Sequence, residues 1–288
     1  MRRLLIALGG NALPPGRKRL EKILAPLKPL AKGRRILLTH GNGPDVGYLL
    51  LQQEKAKRWA PAVSLDILDA RTQGALGYRL QQALSNLFRR EAATVITRVS
   101  VDPKDPAFEH PAKPVGPYYR RPAFKKMVFI RGKGYRRVVP SPRPIRILEA
   151  RTIRELFRSG KIVIAGGGGG IPVARKNSTW AGVEAVIDKD LCAAKLARLI
   201  RADTLLILTD VEGVYLNFGK RNQKKLSRLS AAEAKRYLRR GEFGRGDMGP
   251  KIEAGLEFLR HGGRRFFIGH LQKIEKILGG ESGTQITP

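Results

Sequence analysis

Residues 161–190 read KIVIAGGGGGIPVARKNSTWAGVEAVIDKD, and this stretch decides the fold that the sequence predicts. Residues 162–164 are apolar and β-branched, which is typical of a buried strand. Five glycines follow at 166–170, and a loop without Cβ atoms lets a ligand approach the backbone closely. A second apolar run then leads to Asp188, Lys189 and Asp190, where we expect a helix to begin. The stretch therefore predicts a strand, an anion-binding loop and a helix whose start carries charged side chains.

The same layout recurs along the chain. Apolar runs at 4–8, 36–38, 205–208 and 266–268 each lead into glycine or small polar residues. In an open α/β sheet, the loops after the strands form a ligand crevice at the carboxyl edge. Connections between strands and helices often use glycine in any protein of this class. Five strand ends of this kind, counting the one after residues 162–164, and the pentaglycine together favour a binding site for an anion.

Composition narrows the class of protein. A chain of 288 residues is long enough for one large or two medium domains with a sizeable core. No apolar run approaches the ~20 residues of a membrane span, and the first residues lead directly into a strand. We therefore expect a cytoplasmic protein without a membrane segment. The single cysteine, Cys192, excludes an internal disulfide and argues against a cysteine-based zinc site.

The charge is unusual, at a formal +32 with a pI near 11.0. Such a field attracts polyanions, so nucleic-acid binding is a second hypothesis. Against it, the basic residues are spread over many segments, and the sequence lacks zinc-finger spacing and ribonucleoprotein aromatic motifs. We expect contact with nucleic acid to be non-specific and electrostatic at most.

The amino-acid composition changes in residues 101–147, which are rich in proline. Positions 120–146 contain ten Lys or Arg residues and no acidic residue. Short β-type runs at 127–130 and 135–139 flank Gly132-Lys133-Gly134, which predicts a hairpin. This segment is interpreted either as a basic arm that closes over an anionic substrate or as a solvated surface excursion.

Two motif comparisons limit the chemistry. The chain has no P-loop, and Ile171 stands where a dinucleotide fingerprint needs its third glycine. Glycine loops with Lys189, Asp190 and Lys251 are nevertheless what phosphoryl transfer requires, since that reaction depends on positioning and on neutralising the charge of the transferred group. The residues alone therefore indicate an enzyme that handles phosphate.

Nine blocks in order along the chain carry a resemblance to a known family: ALGGNAL (7–13), THGNGPDVG (39–47), DPAFEHPAKPVGPYY (105–119), RRVVPSP (136–142), GGGGIPV (167–173), GVEAVIDKDL (182–191), LTDVEGVY (208–215), GDMGPKIEAG (246–255) and GTQ (283–285). They span nearly the whole chain and resemble the carbamate kinases, a branch of the amino-acid kinase family. AKPVGPYY and RRVVPSP are specific to that branch.

The resemblance implies an α/β fold, a three-layer αβα sandwich around a mainly parallel sheet with a small protruding β-type subdomain. Residues 1–190 would form an amino-terminal lobe that binds carbamate, with the lid at about 101–147. Residues 191–288 would form a lobe that binds the nucleotide. The implied reaction is the reversible transfer of the ATP γ-phosphoryl group to carbamate, with Mg²⁺ carried by the nucleotide and a homodimer as the usual assembly. Carbamate is already an anion, so no general base is required.

The resemblance also implies roles for individual residues. The catalytic group would comprise Lys251, Asp190, Lys113 and Asn11. The carbamate and phosphate side would be lined by Gly9, Gly10, Gly41, Asn42, Gly43, Gly166, Gly167, Gly168 and Gly169. The nucleotide side would be formed by Lys189, Thr209, Asp210, Val211, Gly213, Val214, Tyr215, Met248 and Pro250. No protein ligand for a metal is implied.

One position separates this branch from other amino-acid kinases. Many members carry a lysine on the first strand, but Ala7 occupies that slot here. The resemblance implies that Lys113, carried by the arm, compensates. This disfavours acetylglutamate, uridylate and isopentenyl phosphate kinases. A kinase of another small acid or phosphate, and a basic nucleic-acid-binding protein on an inactive kinase scaffold, remain the alternatives.

Overall fold

The structure is a computed structural model. It describes residues 2–10, 13, 20–130, 132–243 and 248–288. An eight-stranded sheet forms the centre of these residues. Its strands, in spatial order, are β15 (Arg228–Ser230), β17 (Thr284–Thr287), β16 (Arg265–His270), β12 (Thr204–Thr209), β1 (Arg2–Leu8), β2 (Arg34–His40), β9 (Ile162–Ala165) and β3 (Ala92–Val95). All neighbours pair in parallel except β16 and β17, so the predicted mainly parallel sheet is confirmed.

Helices cover both faces of the sheet. They are α1 (Leu20–Leu24), α2 (Gly43–Ala56), α3 (Leu65–Phe88), α4 (Ala150–Arg158), α5 (Lys189–Leu199), α6 (Ala231–Arg239), α7 (Met248–Arg260) and α8 (Ile274–Gly279). One core contains apolar residues of α4, α5, α6 and α7, and the other contains those of α1, α3 and α8. The three-layer sandwich implied by the resemblance is therefore present.

The two cores are separated by the alternation of side chains along each strand. In β1, Leu5 and Ala7 belong to the core of α4–α7, whereas Leu4, Ile6 and Leu8 belong to the core of α1, α3 and α8. All five side chains are at most 2% exposed. A parallel strand that is covered on both faces has apolar side chains on both faces. The apolar runs in the sequence predict strands of this kind.

Three smaller sheets extend the body. Their strands are β4 (Arg98–Ser100), β8 (Arg146–Ile147), β10 (Ile171–Lys176) and β11 (Thr179–Gly182) in one sheet; β5 (Lys113–Tyr119), β6 (Met127–Ile130) and β7 (Gly134–Val139) in the second; and β13 (Val214–Leu216) with β14 (Lys224–Leu226) in the third. The predicted hairpin is β6–β7, and β5 pairs with the other side of β7. The arm is therefore a three-stranded antiparallel sheet.

The base of the arm packs against the body, while its outer strand is more exposed. Val115 and Val139 are buried in a small core together with Val46 of α2. Gly116 (φ +76°) lies directly against Gly47, and a Cβ on Gly47 would overlap its backbone. Glycine at both positions thus permits the close approach of β5 to α2.

The sequence pattern predicts a strand at 94–99, a glycine-rich loop at 244–251 before a helix of about 252–260, and a short or kinked helix at 20–30, which Pro26 and Pro29 interrupt. The structure differs at some of these boundaries. Helix α7 begins at Met248 rather than near 252, so Lys251 lies within the helix and not in a loop that precedes it. The predicted strand at 94–99 is divided into β3 and β4 at Ile96 and Thr97. The carboxyl-terminal tail forms β17, because its backbone pairs with the edge of β16. The prolines at 26 and 29 limit α1 as predicted, and a 3₁₀ segment (Ala25–Leu30) follows it.

Strands from the two predicted lobes meet in the middle of the sheet, where β1 pairs with β12. Strands β1, β2, β9 and β3 come from residues 1–190, and the remaining four come from 191–288. The proposed lobe boundary itself stays a prediction.

Candidate active site

The carboxyl ends of the four central parallel strands bring the predicted glycine loops together. The backbone N–H of Gly9 donates to the carbonyl of Leu208 at 2.8 Å, and that of Gly41 donates to Leu8 at 3.0 Å. A Cβ on Gly41 would lie 2.8 Å from the nitrogen of Gly10 and 3.3 Å from Cδ of Lys189. The loops after β1, β2 and β12 and the start of α5 are therefore immediate neighbours.

The glycine loop after β9 completes this edge. Gly166, Gly168, Gly169 and Gly170 all have positive φ, between +63° and +100°. A Cβ at Gly168 would overlap the amide of Asn42, and one at Gly169 would overlap the carbonyl of Ile187. The loop therefore needs glycine for its backbone conformation and for the space that its neighbours occupy.

Buried polar side chains that the sequence analysis did not single out hold this loop in place. Gln73 of α3 donates from Nε2 to the carbonyl of Gly167 at 2.9 Å and accepts at Oε1 from the N–H of Thr97 at 2.8 Å. Thr39 donates to the carbonyl of Gly166 at 2.8 Å. The Gly166 N–H in turn donates to Oγ1 of Thr97 at 2.9 Å. The sequence signal for Gln73 was a polar residue on the apolar face of an amphipathic helix.

Asn42 is held by a second buried polar group on α3. Its Nδ2 donates to Oδ1 of Asp69 at 3.1 Å and to Oγ1 of Thr72 at 2.8 Å. Burial raises the pKa of the Asp69 carboxyl well above its usual range; the hydrogen bond from Asn42 opposes this rise and the Asp66 carboxylate adds to it. Oδ2 of Asp69 has no hydrogen-bond partner among the residues that the structure describes. These contacts fix the Asn42 amide beside the glycine loop.

Two lysines converge on Asp190 at the centre of the site. Nζ of Lys189 lies 2.6 Å from Oδ1 of Asp190, and Nζ of Lys251 lies 3.3 Å from Oδ2. The side chains of Lys251 and Asp190 are each only 2% exposed, and that of Lys189 is 12% exposed. A buried ammonium is tolerated when a carboxylate pairs with it, so Asp190 offsets the burial of both lysines and holds their side chains in place. The predicted grouping of these three residues is thus observed in space.

Asp188 forms a second charged pair that the sequence analysis missed as a site residue. Its Oδ2 pairs with Nζ of Lys113, the first residue of β5. Its Oδ1 accepts from the N–H of Asp190 at 2.8 Å and from that of Leu191 at 3.3 Å, which caps helix α5. Burial alone would raise the pKa of the Asp188 carboxyl, but the ammonium groups of Lys113 and Lys189 outweigh it and hold the pKa well below its usual range. Asp188 therefore anchors the arm lysine at the start of α5.

The predicted nucleotide residues lie along the ends of β12 and β13. Oγ1 of Thr209 donates to Oδ1 of Asp210 at 3.0 Å, and the Cα of Thr209 lies 3.7 Å from the position of a Cβ on Gly9. The N–H of Val214 donates to Thr284 at 2.8 Å, which fixes the start of β13. Val211 and Gly213 lie in the same turn, and Tyr215 packs against Phe218 with ring centroids 5.7 Å apart.

The remaining predicted residues are distributed as follows. Met248 and Pro250 lie in the first turn of α7, next to Lys251, and Gly43 is the first residue of α2. Asn11 lies outside the described residues, as do positions 244–247 of the GRGDMGPK segment.

His40 lies beneath the glycine loop and is 1% exposed. Burial lowers the pKa of its imidazole to about 4, against a small opposing effect of its hydrogen bond to the Gly41 carbonyl. The ring nitrogen Nδ1 lies 3.2 Å from that carbonyl. The imidazole is therefore neutral at pH 7, and a Cβ at Gly167 would overlap it.

Among the ranges that the structure covers, no three or more His, Cys, Asp or Glu side chains are grouped so that they could hold a metal ion. Within the same ranges, no helix combines the length and the apolar character of a membrane span.

Comparisons with known proteins place the chain in a family. The model of the amino acid kinase family matches residues 2–270. A carbamate kinase of Pyrococcus horikoshii is 44% identical over 99% of this chain and 99% of its own length, and carbamate kinase 2 of Staphylococcus aureus is 42% identical over 99% and 98%. The solved structure of carbamate kinase from Giardia lamblia bound to AMP-PNP has a TM-score of 0.87 at 36% identity and covers 99% of this chain and 98% of its own. The chain belongs to the amino acid kinase family and resembles the carbamate kinases of that family over its whole length.

Proposed function

We propose that this protein transfers the γ-phosphoryl group of ATP to carbamate, and in reverse makes ATP from ADP and carbamoyl phosphate. The observation that carries this proposal is the cluster of Lys251, Lys189 and Asp190 beside the glycine loops at the carboxyl edge of the sheet. The likeness to carbamate kinases over the full chain supports the same activity. The alternatives of a nucleic-acid-binding protein on an inactive scaffold and of another acid kinase are not favoured.

The reaction needs little covalent help from the protein. A carboxylate oxygen of carbamate attacks the γ-phosphorus, the bond from that phosphorus to the β,γ-bridging oxygen breaks, and ADP leaves with the electron pair. Carbamate carries no proton that must be removed, which agrees with a neutral, buried His40 that serves packing rather than proton transfer. The task that remains for the protein is to orient the two anions and to stabilise the charge on the transferred group.

The observed side chains suit that task. Lys251 and Lys189 share one carboxylate, and each ammonium carries three N–H donors of the kind that bind phosphate oxygens. The N–H groups of Gly9 and Gly41 already donate to the carbonyls of Leu208 and Leu8. Other backbone N–H groups of these glycine loops would add donors without steric hindrance. In a buried site, preorganised donors of this kind stabilise developing charge more effectively than water does.

The arm would supply a third cation. Lys113 stands on β5, while Ala7 occupies the slot on β1 where other family members carry a lysine. The pair of Lys113 with Asp188 holds this ammonium beside Lys189 at the start of α5. We propose that movement of the outer arm admits substrate while this pair sets the position of Lys113.

Three finer points belong to the proposal. Mg²⁺ enters with the nucleotide and is held mainly by its phosphates. The protein acts as a homodimer, as the resemblance implies. A cytoplasmic location stays a prediction from the sequence.

The test is ATP formation from ADP and carbamoyl phosphate by the purified protein with Mg²⁺. Acetyl phosphate, an acyl phosphate that lacks the amino group, is the matched control substrate. We expect rapid turnover with carbamoyl phosphate and much slower turnover with acetyl phosphate. Absence of ATP formation at moderate and at high temperature would contradict the proposed activity, and equal rates would contradict the proposed substrate.

A further inference from the structure

The amino edge of the central sheet, opposite the candidate active site, collects arginines from three strands. β1 begins with Arg2 and Arg3, β2 with Arg34 and β16 with Arg265. The parallel register places Arg2 opposite Arg34. Strand β1 is seven residues long, so at about 3.3 Å per residue this edge lies roughly 20 Å from the glycine loops. The two edges are therefore separate sites.

The four arginines line one cavity of about 80 Å³. Leu4, Thr204 and Leu278 form the remainder of its wall. Since a water molecule needs only about 10–15 Å³ of such volume, the cavity has room for a small tetrahedral oxyanion.

Only one carboxylate balances this group among the residues that the structure describes. Asp203 pairs with Arg3, at 2.8 Å between Oδ1 and Nη2, and also accepts from the backbone N–H of Arg3 at 2.8 Å. Arg2, Arg34 and Arg265 form no ion pair with any described carboxylate. Arg34 donates to the carbonyl of Pro29 at 3.1 Å. The cavity therefore carries three surplus positive charges.

The surplus charges interact unfavourably with one another. The pKa of Arg265 is lowered from its usual value, first by burial and then by the nearby Arg2 and Arg34, while Asp203 acts weakly in the opposite direction. Like charges close together destabilise a folded chain unless a counter-ion enters. Guanidinium groups are also the side chains best suited to bind a phosphate through paired N–H donors.

We propose that the cavity formed by Arg2, Arg3, Arg34 and Arg265 is a second anion site, which binds a phosphate-type oxyanion at the amino edge of the sheet. A dianion would neutralise two of the three surplus charges and accept hydrogen bonds from several strands at once. The phosphate group can be free inorganic phosphate or part of a nucleic-acid backbone, and titrations with each distinguish the two sources. The site is independent of the proposed kinase activity, since no residue of the carboxyl edge contributes to it.

The test compares the wild type with the double variant Arg34→Gln/Arg265→Gln. The control variant is Arg175→Gln/Arg236→Gln, which loses the same charge. Both of its arginines lie over an aromatic ring, as Arg265 does. Inorganic phosphate is titrated into each protein by calorimetry, with sodium chloride at matched ionic strength as the blank. We expect the wild type and the control to bind one more phosphate per chain than the double variant, or the double variant to bind that phosphate at least ten-fold more weakly.

Thermal unfolding separates this role from a structural one. In phosphate-free buffer the double variant should unfold at the same temperature as the wild type or higher, because repulsion is removed. Added phosphate should raise the midpoint of the wild type and the control more than that of the double variant. Turnover with ADP and carbamoyl phosphate should be unchanged in both variants.

A second titration, with a short single-stranded RNA, distinguishes the two sources of phosphate. If RNA binding weakens in the double variant while phosphate binding is the same in all three proteins, the cavity takes a backbone phosphate. Equal phosphate and RNA binding in all three proteins would overturn the proposal, and so would a double variant that unfolds earlier than the wild type regardless of phosphate.

Discussion

The two edges of the central sheet carry cations in opposite ways. At the carboxyl edge, Lys189 and Lys251 share Asp190, and Lys113 pairs with Asp188. At the amino edge, Arg2, Arg34 and Arg265 face one cavity without such carboxylate partners among the described residues. A cation held by a carboxylate is positioned before its substrate arrives, whereas surplus cations depend on a counter-ion to become favourable.

The largest expected effect follows from breaking the carboxyl edge at Lys251. Lys251→Ala should lower kcat by about 10³-fold, the upper end of the range seen when a donor to the developing charge is removed. Lys195→Ala is the matched control, because Lys195 also joins α5 to α7 through an ion pair, with Glu257 at 2.9 Å. The measurement is ATP formation with circular dichroism as the check on folding. Near-normal turnover of a folded Lys251→Ala protein would show that Lys251 does not act in the transfer step.

Removing the arm lysine tests whether the third cation acts in the reaction. Lys113→Ala should lower kcat by about 10²-fold, as expected for one charge-stabilising donor, and should change the Kd for ATP much less. Lys126→Ala, a lysine of the same arm that precedes β6, is the control and should retain wild-type kcat. A change confined to ATP affinity would contradict the proposed role of Lys113 in the transfer step.

Gln73 tests whether the glycine loop must be held rigidly. Gln73→Ala leaves the Gly167 carbonyl and the Thr97 N–H without their side-chain partner and should lower the free energy of unfolding by about 2–3 kcal/mol. Turnover should fall as well, since the loop contacts the predicted substrate side. The matched control is Gln81→Ala on the same helix, which loses one hydrogen bond from the Thr94 N–H at 3.0 Å, away from the loop. Equal losses of stability and turnover in the two variants would show that Gln73 does not specifically stabilise the glycine loop.

The buried imidazole of His40 predicts how the stability of the fold depends on pH. Its pKa is lowered to about 4 in the folded chain, so the stability it confers is fully present above the unfolded pKa of about 6.5 and is lost as the pH falls toward 4. At pH 5 the loss should be about 2 kcal/mol. Denaturant unfolding of the wild type and His40→Gln at pH 7 and pH 5 measures the difference, with His270→Gln as the control histidine. The same pH dependence in wild type and His40→Gln would contradict a neutral, buried His40.

The glutamine substitutions at the amino edge are expected to have the smallest effect on activity. Arg34→Gln/Arg265→Gln should leave turnover unchanged and alter only the response to phosphate. A loss of turnover comparable to that of Lys113→Ala would show that the two edges of the sheet are coupled.

Strands and their ends were predictable because each depends on a short stretch of sequence. The apolar runs at β1, β2, β9 and β12 and the glycines after them signal buried parallel strands and close approach of the backbone. The capping box of α6 was also predictable: Ser230 and Glu233 satisfy it locally, and the structure contains both hydrogen bonds. The start of α7 and the strand β17 were missed, since the first lies in a glycine-rich segment and the second depends on pairing with β16.

The sequence by itself determined the family, the glycine loops and the identities of Lys189, Asp190, Lys251 and Lys113, because motifs and their order are local properties of the chain. The tertiary structure decided which charges meet. Lys113 and Asp188 are 75 positions apart, and Gln73 lies 94 positions from Gly167. The gathering of arginines at the amino edge likewise follows from strand register. Contacts between distant segments depend on how strands align and helices pack, and that alignment is set by burial over the whole core rather than by any single stretch.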